Sequence, residues 1–455
     1  MNQIWAKQAL TADGWQRDVL VICDSLGRIA SVQSGASKQG TCVDILLPAP
    51  ANLHSHTFQR AMAGMTERRG SDPHDNFWSW RALMYKFMDN LSPDDVEAIA
   101  AFAFMEMLET GFGAVAEFHY LHHGPGGSRY DSPAEMSLRI LKAAKDTGIG
   151  LTLLPVLYEQ AGCDGRALER GQKRFGHDIE QFSQLVADLK TPVQNASPDT
   201  HLGIAPHSLR AVNRESVRTC AELLPDTPLH IHAAEQVGEV DEVVKHYGAR
   251  PVEWLLENHN VDARWCFIHA TQMLPHETKG LAASGAVAGL CPITEGNLGD
   301  GIFDGPRYRG AGGAFGVGTD SNIRISLPEE LRMLEYAQRL YTKNRAVMAE
   351  SEQSNGRAIW DAVTSGGAQA LGRRSGEISP GLWADMVAVH GNHPDVLGRE
   401  RDAALDSFVF AGDRTWVTDL WSAGRHCVSR GAHIQRELIT ANYKQTVQSL
   451  MSRIG

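Results

Sequence analysis

The sequence lacks paired cysteines and long hydrophobic runs. Its seven cysteines are odd in number and never form a Cys-x-x-Cys motif, a pattern that is typical of free thiols in a reducing compartment and offers no thiolate metal site. No apolar stretch approaches the roughly 18 residues of a membrane span, and the N-terminal residues lack the basic and apolar segments of a signal peptide. We therefore expect a cytoplasmic protein without a membrane partner.

Basic residues are in the minority, because 43 Lys and Arg stand against 54 Asp and Glu and give a net charge of −11. A surface that binds nucleic acid needs a basic face, so we expect no nucleic-acid partner. A small anionic substrate is compatible with this charge, since a few arginines in a cleft are enough to bind an anion. With 455 residues, 43% of them hydrophobic, the chain can bury the core of a large globular protein.

The middle of the chain alternates apolar, strand-like segments with helical ones, which predicts a parallel sheet with crossover helices. One helix is clearly delimited, because Ser92 caps it, Pro93 occupies its first turn and Gly111 ends it. Eight strands with such crossovers close into a (β/α)8 barrel, whose chemistry lies at the carboxyl ends of the strands. The predicted strands cover residues 45–56, 114–120, 150–156, 201–207, 228–232, 264–269, 286–291 and 314–320.

Both ends of the chain consist of short strand-like segments and turns, which predicts a smaller domain built from both termini. We expect residues 1–48 and 374–455 to form this discontinuous β-sandwich domain, with a C-terminal helix after about residue 436, and residues 49–373 to form the barrel. Strands of the smaller domain are predicted at residues 19–23, 28–32, 384–389, 408–410 and 415–417, with a hairpin at 421–428.

Polar side chains end six of the eight predicted barrel strands. A barrel interior prefers Val, Ile and Leu. One buried histidine is often a packing residue, but packing alone does not account for six such ends, so we interpret the set as an active site. The residues are His54 and His56 on the first strand, His119 and Tyr120 on the second, His207 on the fourth, His232 on the fifth, His269 on the sixth and Asp320 on the eighth.

His54 and His56 are the basis of a metal hypothesis. Residues two apart on a strand point to the same side, but 19 histidines in 455 residues supply about one His-x-His motif by chance. The hypothesis therefore needs His232 and Asp320, which complete a ligand set suited to one Zn2+ per subunit, with Fe2+ and Mn2+ as alternatives. His230 faces the same side as His232 one layer deeper, and we expect it to pack or hydrogen-bond instead.

These features resemble the amidohydrolase superfamily, in which a His-x-His motif ends strand one, single histidines end strands five and six, and an aspartate ends strand eight. The segment Gly376-x-Ile378-x-Pro380-Gly381-x-x-Ala384-Asp385 is similar to that superfamily's β-domain element, so the resemblance covers essentially the whole chain. Binuclear members generally carry a bridging carboxylated lysine or a glutamate. Strand four here ends in Ala205-Pro206-His207 without a lysine, so the resemblance implies a mononuclear site.

Glu235, in His232-Ala233-Ala234-Glu235, stands in an arrangement similar to that of amidohydrolase deaminases. The resemblance implies that this carboxyl protonates a C=N nitrogen, which is chemically sensible because hydroxide attack on an amidine-like carbon leaves charge on nitrogen. Asp320 would take a proton from the attacking water and later deliver it to departing ammonia, and His269 would polarise the reacting centre. The alternative for Glu235 is a solvated acid in the first turn of a helix.

Longer stretches resemble one branch of the superfamily, the formimidoylglutamate deiminases. They are residues 50–64, 77–81, 116–120, 207–210, 232–236 and 294–302. The resemblance implies hydrolysis of N-formimino-L-glutamate to N-formyl-L-glutamate and ammonia, in histidine degradation. Arginine suits the two carboxylates of glutamate. The substrate contacts that the resemblance implies are Gln59, Arg81, Tyr120, His207 and Arg210.

Two positions depart from the pattern of that branch. Gly296 stands where alanine is common, and Asn322 stands where histidine is frequent. Neither change removes a predicted ligand, so both concern the shape of the loops after strands seven and eight. We also expect the protein to be a homodimer.

Two other functions stay open. A related deaminase acting on a purine or adenosyl compound would keep the metal site but read a planar ring, with less use for two arginines, and assays of ammonia release would separate the two. A barrel retained as a binding or scaffold protein is expected to lose metal ligands, whereas His54, His56, His232 and Asp320 are all present. Metal analysis tests this second alternative.

Overall fold

Two parallel sheets and one mixed sheet contain the strands of the chain. The computed structural model describes residues 2–68 and 77–454, without the side chains of Phe77 and Trp78. The strands are β1 (Gln3–Thr11), β2 (Gly14–Cys23), β3 (Ile29–Gln33), β4 (Thr41–Pro48), β5 (Ala51–Ser55), β6 (Ala114–His119), β7 (Gly150–Leu157), β8 (His201–Leu202), β9 (Ala205–Pro206), β10 (Leu229–Ala233), β11 (Trp265–His269), β12 (Val287–Leu290), β13 (Ala314–Val317), β14 (Met386–Val389), β15 (Val417–Ser422), β16 (Arg425–Ser429) and β17 (Ala432–His433).

The helices of the described residues lie mainly between the strands of the middle region. The α-helices are α1 (Phe77–Met88), α2 (Pro93–Thr110), α3 (Glu135–Thr147), α4 (Ile179–Gln194), α5 (Arg214–Leu223), α6 (Val237–Tyr247), α7 (Pro251–Asn258), α8 (Pro275–Ser284), α9 (Pro292–Leu298), α10 (Gly305–Gly310), α11 (Leu327–Thr342), α12 (Asn355–Ala370), α13 (Asp402–Ala411) and α14 (Arg436–Ile454). Short 3-10 helices cover Thr57–Met62, Pro125–Gly127, Arg170–Arg174 and Arg414–Trp416.

The parallel strands follow one another around the site. β5, β6 and β7 pair in parallel, and β7 continues to both β8 and β9, which together occupy the predicted fourth strand. β10 to β13 form the second parallel sheet. Parallel bridges join the two sheets at both edges, through Ile204 with Leu229 and through Ser55 with Asp320. This arrangement confirms the predicted (β/α)8 fold, in which the strands' carboxyl ends meet on one face.

The mixed sheet contains strands from both ends of the chain, in the order β17-β16-β15-β14-β4-β1-β2-β3. Alternate residues of β4 point to opposite faces, so that Leu46 packs in a separate core while Ile45 and Leu47 join the core of the barrel. Arg28, just before β3, forms a bridge with Trp383, just before β14. The sheet therefore curls so that the segments before β3 and β14 meet. It forms the smaller β-unit for which the sequence predicts a sandwich.

The first barrel strand is shorter than the predicted segment. The apolar run at residues 45–48 belongs to β4 in the mixed sheet, and a new strand, β5, begins at Ala51. Pro48 and Pro50 lack the N–H that a continuing ladder needs, so the chain changes sheets between them. This change supports the proposed division into residues 1–48 with 374–455 and residues 49–373.

The prediction of a strand at residues 408–410 is wrong, because they lie in helix α13. The buried residues of α13 are Ala404, Leu405, Phe408 and Val409, and this spacing marks one face of a helix. Three consecutive bulky residues suggested a strand, whereas packing against α11 and α12 selects the helix. The following strand, β15, begins only at Val417, and its antiparallel pairing with β16 confirms the predicted hairpin.

Two predicted helices are confirmed at the ends that the sequence indicated. Ser92 and Asp95 form a capping box at the start of α2, and Gly111 ends the helix with a φ of +114°. The C-terminal helix α14 packs on α2, where the rings of Phe102 and Tyr443 stack at 3.9 Å. All seven cysteines are free thiols, and no helix of the described residues is long and apolar enough to cross a membrane.

A buried ionic cluster joins the barrel to the mixed sheet. The Arg373 guanidinium donates to the carboxylates of Asp385 (2.6 Å) and Asp199 (2.9 Å). Arg425 of β16 donates to both oxygens of Asp199, at 2.8 and 2.7 Å. The side chains of Arg373 and Asp199 are each only 1% exposed, so each charge depends on the others for compensation.

Candidate active site

Four buried side chains converge where the parallel strands end. His54 lies in β5, His56 follows it, His232 lies in β10, and Asp320 comes three residues after β13. One ligand atom from each lies within 4.8 Å of all the others. Oδ1 of Asp320 is 3.2 Å from Nε2 of His54 and 3.1 Å from Nε2 of His56. The structure thus brings together the four residues that the sequence predicts as ligands.

Hydrogen bonds orient two of the imidazoles toward the centre of this cluster. Nδ1 of His56 donates to the carbonyl of Phe118 at 3.0 Å, and Nδ1 of His232 donates to the carbonyl of His207 at 3.2 Å. In a neutral ring with Nδ1 protonated, Nε2 keeps its lone pair for the cluster. Burial lowers the pKa of His54 to about 3 and the pKa of His232 well below its usual value, so both rings are neutral, as metal binding requires.

The cluster has the spacing and the chemistry of a site for a divalent transition metal. Nitrogen ligands bound at 2.0–2.1 Å to a tetrahedral Zn2+ stand about 3.3 Å apart, and the Nε2 atoms of His54 and His56 are 3.2 Å apart. Three imidazoles and one carboxylate suit a divalent transition metal better than Ca2+ or Mg2+, which prefer oxygen ligands. The four residues therefore fit one such ion.

Glu235 and His269 lie beside the cluster. Glu235 sits between β10 and α6, is only 8% exposed, and places Oε1 3.8 Å from Nε2 of His269. The backbone N–H of Glu235 donates to the carboxylate of Glu239 at 2.9 Å, which fixes the turn. Burial raises the pKa of Glu235 to about 7. The residue is thus a buried carboxyl that carries a proton in part near neutral pH, unlike the solvated helix acid of the alternative interpretation.

Glu295 supports His269 from the other side, a role that the sequence did not reveal. Nδ1 of His269 donates to Oε1 of Glu295 at 3.3 Å, and the same oxygen accepts from the backbone N–H of Cys291 at 2.7 Å. Burial acts to lower the pKa of His269, but the carboxylates of Glu235 and Glu295 raise it well above its usual value. The neighbouring carboxylates thus favour the protonated form of His269.

A cavity that opens to solvent leads to the cluster. All five predicted substrate contacts line it, namely Gln59, Arg81, Tyr120, His207 and Arg210. Nε2 of Gln59 donates to the hydroxyl of Tyr120 at 2.7 Å, and Arg210 is only 5% exposed. The guanidinium carbon of Arg81 lies 5.5 Å from the ring centre of Tyr85. Two arginines in one recess favour an anionic ligand.

Much of the cavity wall was missed in the sequence. Further lining residues are Trp80, Met84, Tyr85, Tyr158, Phe175 and Leu298. Tyr158 directly follows β7, so extending the third predicted strand to its true end would have found it. Phe175 comes from a connecting loop and carries no sequence signal. Only the folded chain brings this residue to the cavity, where its ring centre lies 4.6 Å from that of Tyr120.

Two strand histidines do not line the cavity. Nε2 of His230 donates to the carbonyl of Ala370 at 2.8 Å, which confirms that His230 is a hydrogen-bonded packing residue. His119 is buried on the opposite side of β6 from Tyr120, and its ring centre lies 5.5 Å from that of His122. A polar residue at a strand end thus indicates the site only when its side of the strand is also known.

Three residues at the site have a strained backbone. The φ angles of Ala234, His269 and Asp320 are +53°, +70° and +42°, in a region that residues with a Cβ atom rarely adopt. Such conformations persist only where the surrounding structure holds them, and they cluster at functional positions. The strain therefore falls on the turns that present the polar groups to the cavity.

Comparison with known proteins extends over nearly the whole chain. The family model described as "Amidohydrolase family" matches residues 45–427, and the model described as "Formimidoylglutamate deiminase HutF, N-terminal domain" matches residues 1–41. A formimidoylglutamate deiminase of Pseudomonas aeruginosa is 44% identical, over 99% of this chain and 100% of its own. A 5-methylthioadenosine/S-adenosylhomocysteine deaminase of Natronomonas pharaonis is 26% identical, over 86% of this chain and 84% of its own.

A crystal structure of an amidohydrolase from Brucella melitensis is similar throughout. It superposes with a TM-score of 0.95 at 44% identity, over 99% of this chain and 100% of its own. The similarity thus includes the barrel, the mixed sheet from both termini and the strand ends that form the cavity. On the match of residues 45–427 and on these full-length similarities, the chain belongs to the amidohydrolase family.

Proposed function

We propose that the protein hydrolyses N-formimino-L-glutamate to N-formyl-L-glutamate and ammonia, with one Zn2+ per subunit, as a step of histidine degradation. The observation that carries this proposal is that two arginines line the same cavity as the His, Asp and Glu groups. The relative that is 44% identical over its full length is a formimidoylglutamate deiminase, which agrees with this chemistry.

The proposed metal residues are His54, His56, His232 and Asp320. A Zn2+ ion held there would supply an activated water nucleophile at neutral pH. Fe2+ is the alternative ion, since imidazole and carboxylate suit both. Around that centre, the remaining residues bind the substrate and move protons.

Glu235 is the proposed acid for the terminal imino nitrogen. Its raised pKa of about 7 leaves a proton available for transfer to nitrogen as water adds to the carbon. Asp320 accepts one proton of the attacking water and passes it to the same nitrogen, which leaves as ammonia. Glu235, now a carboxylate, recovers a proton from the hydroxyl left on the carbon, whose oxygen becomes the formyl oxygen. His269, which donates from Nδ1 to Glu295, stabilises negative charge that develops on that oxygen.

The arginines are the proposed partners of the two substrate carboxylates. A guanidinium binds a carboxylate through two parallel, charge-assisted hydrogen bonds, and burial of Arg210 makes such a pair stronger than at the surface. Gln59, Tyr120 and His207 provide polar contacts between the arginines and the metal residues. A substrate that carries an amidine at one end and two carboxylates at the other suits this distribution.

The alternative is a deaminase of a purine or adenosyl compound, which the 26% identical relative represents. Such a substrate carries no pair of carboxylates for Arg81 and Arg210. The deciding assay measures ammonia release from N-formimino-L-glutamate, 5-methylthioadenosine, S-adenosylhomocysteine and guanine by the purified, zinc-loaded protein. Activity on the purine or adenosyl compounds alone would overturn the proposal.

A matched substrate pair tests the two carboxylates separately. N-formimino-4-aminobutyrate lacks the α-carboxylate, and N-formimino-L-2-aminobutyrate lacks the side-chain carboxylate. We expect both to react at least 100-fold more slowly in kcat/KM, since each lacks one of the two proposed carboxylate–guanidinium pairs, and the loss of such a pair costs about 3 kcal/mol. Equal reaction of all three substrates would contradict the proposed role of the arginines.

The cytoplasmic location and the homodimer remain predictions of the sequence. Light scattering of the purified protein measures the mass of the particle directly. A mass of two chains supports the homodimer, and a mass of one chain contradicts it.

A further inference from the structure

Asp320 offers its carboxylate to the cluster from a strained backbone. Its φ is +42°, and that of Asn322, two residues later, is +54°. Both residues are buried, with Asn322 completely inaccessible. Such a conformation persists only when neighbouring groups hold it, so the contacts that hold this turn also determine where the Asp320 carboxylate lies.

The first barrel strand holds the backbone of Asp320. The N–H of Asp320 donates to the carbonyl of His54 at 3.0 Å, and the N–H of His56 donates to the carbonyl of Asp320 at 2.9 Å. Three of the four proposed ligands are therefore joined by main-chain hydrogen bonds. This frame fixes their backbones but leaves the turn after Asp320 to be held by side chains.

The Asn322 side chain closes that turn. Its Nδ2 group donates to the carbonyl of Asp320 at 3.0 Å and to Oγ of Ser55 at 3.1 Å. Its Oδ1 accepts from the hydroxyl of Thr319 at 2.6 Å. Both amide protons and the amide oxygen are thus used, and one side chain connects the turn to the strand that carries His54 and His56.

A second amide, that of Asn52, completes the network. Nδ2 of Asn52 donates to Oγ1 of Thr319 at 2.7 Å, and its Oδ1 accepts from the backbone N–H of Thr319 at 3.1 Å and of His54 at 3.3 Å. The Thr319 hydroxyl therefore accepts from Asn52 and donates to Asn322. The network is continuous and buried between the first and last strands of the barrel.

Position 322 has two requirements, and asparagine meets both. The site needs two amide protons and one acceptor on a short side chain, and the backbone needs a residue that tolerates a positive φ, which Asn does better than most. Aspartate lacks the donors, and glycine lacks the side chain. Position 322 is also one at which the sequence departs from the pattern of the family branch that it resembles.

We propose that Asn322, linked through Thr319 to Asn52, is a positioning residue that holds Asp320 against His54 and His56 before a metal ion binds. The inference rests on the proposed metal site. None of these three residues lines the substrate cavity, so their effect reaches the reaction through the geometry of Asp320. Loss of the network should lower metal affinity and kcat while leaving the KM for substrate near that of the wild type.

The experiment compares variants in the network with a matched buried variant outside it. Asn322→Gly removes the amide but keeps the backbone free to adopt a positive φ, and Thr319→Val removes the bridging hydroxyl. Thr152→Val is the control, because Thr152 is equally buried in β7 and its hydroxyl donates to the carbonyl of Leu371 at 2.9 Å, away from Asp320. Thr319→Ser keeps the hydroxyl and should restore the wild-type properties.

The readouts are Zn2+ affinity, measured by competition with a chromogenic chelator, and the visible absorption spectrum of the Co2+-substituted protein. We expect Asn322→Gly and Thr319→Val to bind Zn2+ about 10- to 100-fold more weakly, as is common when a partner of a metal ligand is lost. Their Co2+ spectra should also change. Thr152→Val should lower the thermal midpoint without affecting either readout.

The inference is wrong if Asn322→Gly and Thr319→Val match Thr152→Val in both metal readouts, however much their stability falls. It is also wrong if Thr319→Ser behaves as Thr319→Val does. A wild-type chain that binds neither Zn2+ nor Co2+ would overturn the proposed metal site and, with it, this inference. Normal metal binding by the wild type without hydrolysis of N-formimino-L-glutamate would instead overturn only the proposed substrate. Should Asn322→Gly fail to fold, the two Thr319 variants decide.

Discussion

Replacing Arg210 with alanine should weaken substrate binding while leaving the metal cluster intact. Arg210 lies in the turn after β9, is only 5% exposed, and lines the same cavity as His207 and Glu235. It is not one of the four clustered residues that could hold a metal ion. The substitution therefore separates recognition of the substrate carboxylates from the chemistry at the other end of the cavity.

The size of the effect follows from the burial of Arg210. Removing one partner of a buried, hydrogen-bonded charge pair costs about 2–5 kcal/mol. We take about 3 kcal/mol, which corresponds to about a 150-fold fall in kcat/KM. The loss should appear mainly as a raised KM, because a carboxylate remote from the reacting carbon is bound alike in the ground state and the transition state.

Steady-state ammonia release, together with metal analysis of each protein, measures this prediction. Arg210→Lys should recover only part of the loss, since lysine keeps the charge but not the two parallel hydrogen bonds. Arg218→Ala is the matched control, because Arg218 is exposed on α5, eight residues along the chain. Unchanged kinetics in Arg210→Ala, or a loss of metal along with activity, would refute the assignment of Arg210 to the substrate.

Three further predictions concern the metal, the proton donor and the fold. His56→Ala should lose bound metal and activity together, because it removes a nitrogen 3.1 Å from Oδ1 of Asp320; metal analysis that finds a full complement of ion would contradict this. Activity should fall as pH rises through about 7, because burial raises the pKa of Glu235 to about 7 and only the protonated carboxyl can donate. Glu235→Gln should remove this fall from the pH profile and should also remove most of kcat. Asp199→Asn should lower the free energy of unfolding by about 3 kcal/mol, because the substitution leaves the buried charge of Arg373 undercompensated. Urea unfolding measures this loss. Glu400→Gln, at an exposed position, is the control and should change the free energy of unfolding by less than about 0.5 kcal/mol.

The order of the helices and strands and the positions of the polar strand ends can be predicted from the sequence, because they depend on local patterns. A buried strand between two crossover helices is a short apolar run, and its carboxyl end follows from chain direction. The four metal candidates are therefore predictable from the sequence alone. The capping box of α2 was equally local, since Ser92, Pro93 and Asp95 lie within four residues of one another.

Errors arose where tertiary packing overrides local preference. Residues 408–410 have the composition of a strand, yet α13 forms because its apolar face packs against two other helices. The run at residues 45–48 joins the mixed sheet because partner strands from both termini are available on either side of β4. In each case the deciding partner is far away in the sequence, so no local pattern reports it.

Local sequence patterns are sufficient to predict the fold class, the chain order of the strands and the polar residues at their ends. The tertiary structure shows which of those residues share a cavity. It separates His119, on the far side of β6, from Tyr120, and it brings Phe175 to the wall from a distant loop. It also links Asn52 and Asn322 through Thr319. The Asn52–Thr319 contact joins residues 267 positions apart, which only the approach of the first and last barrel strands brings together.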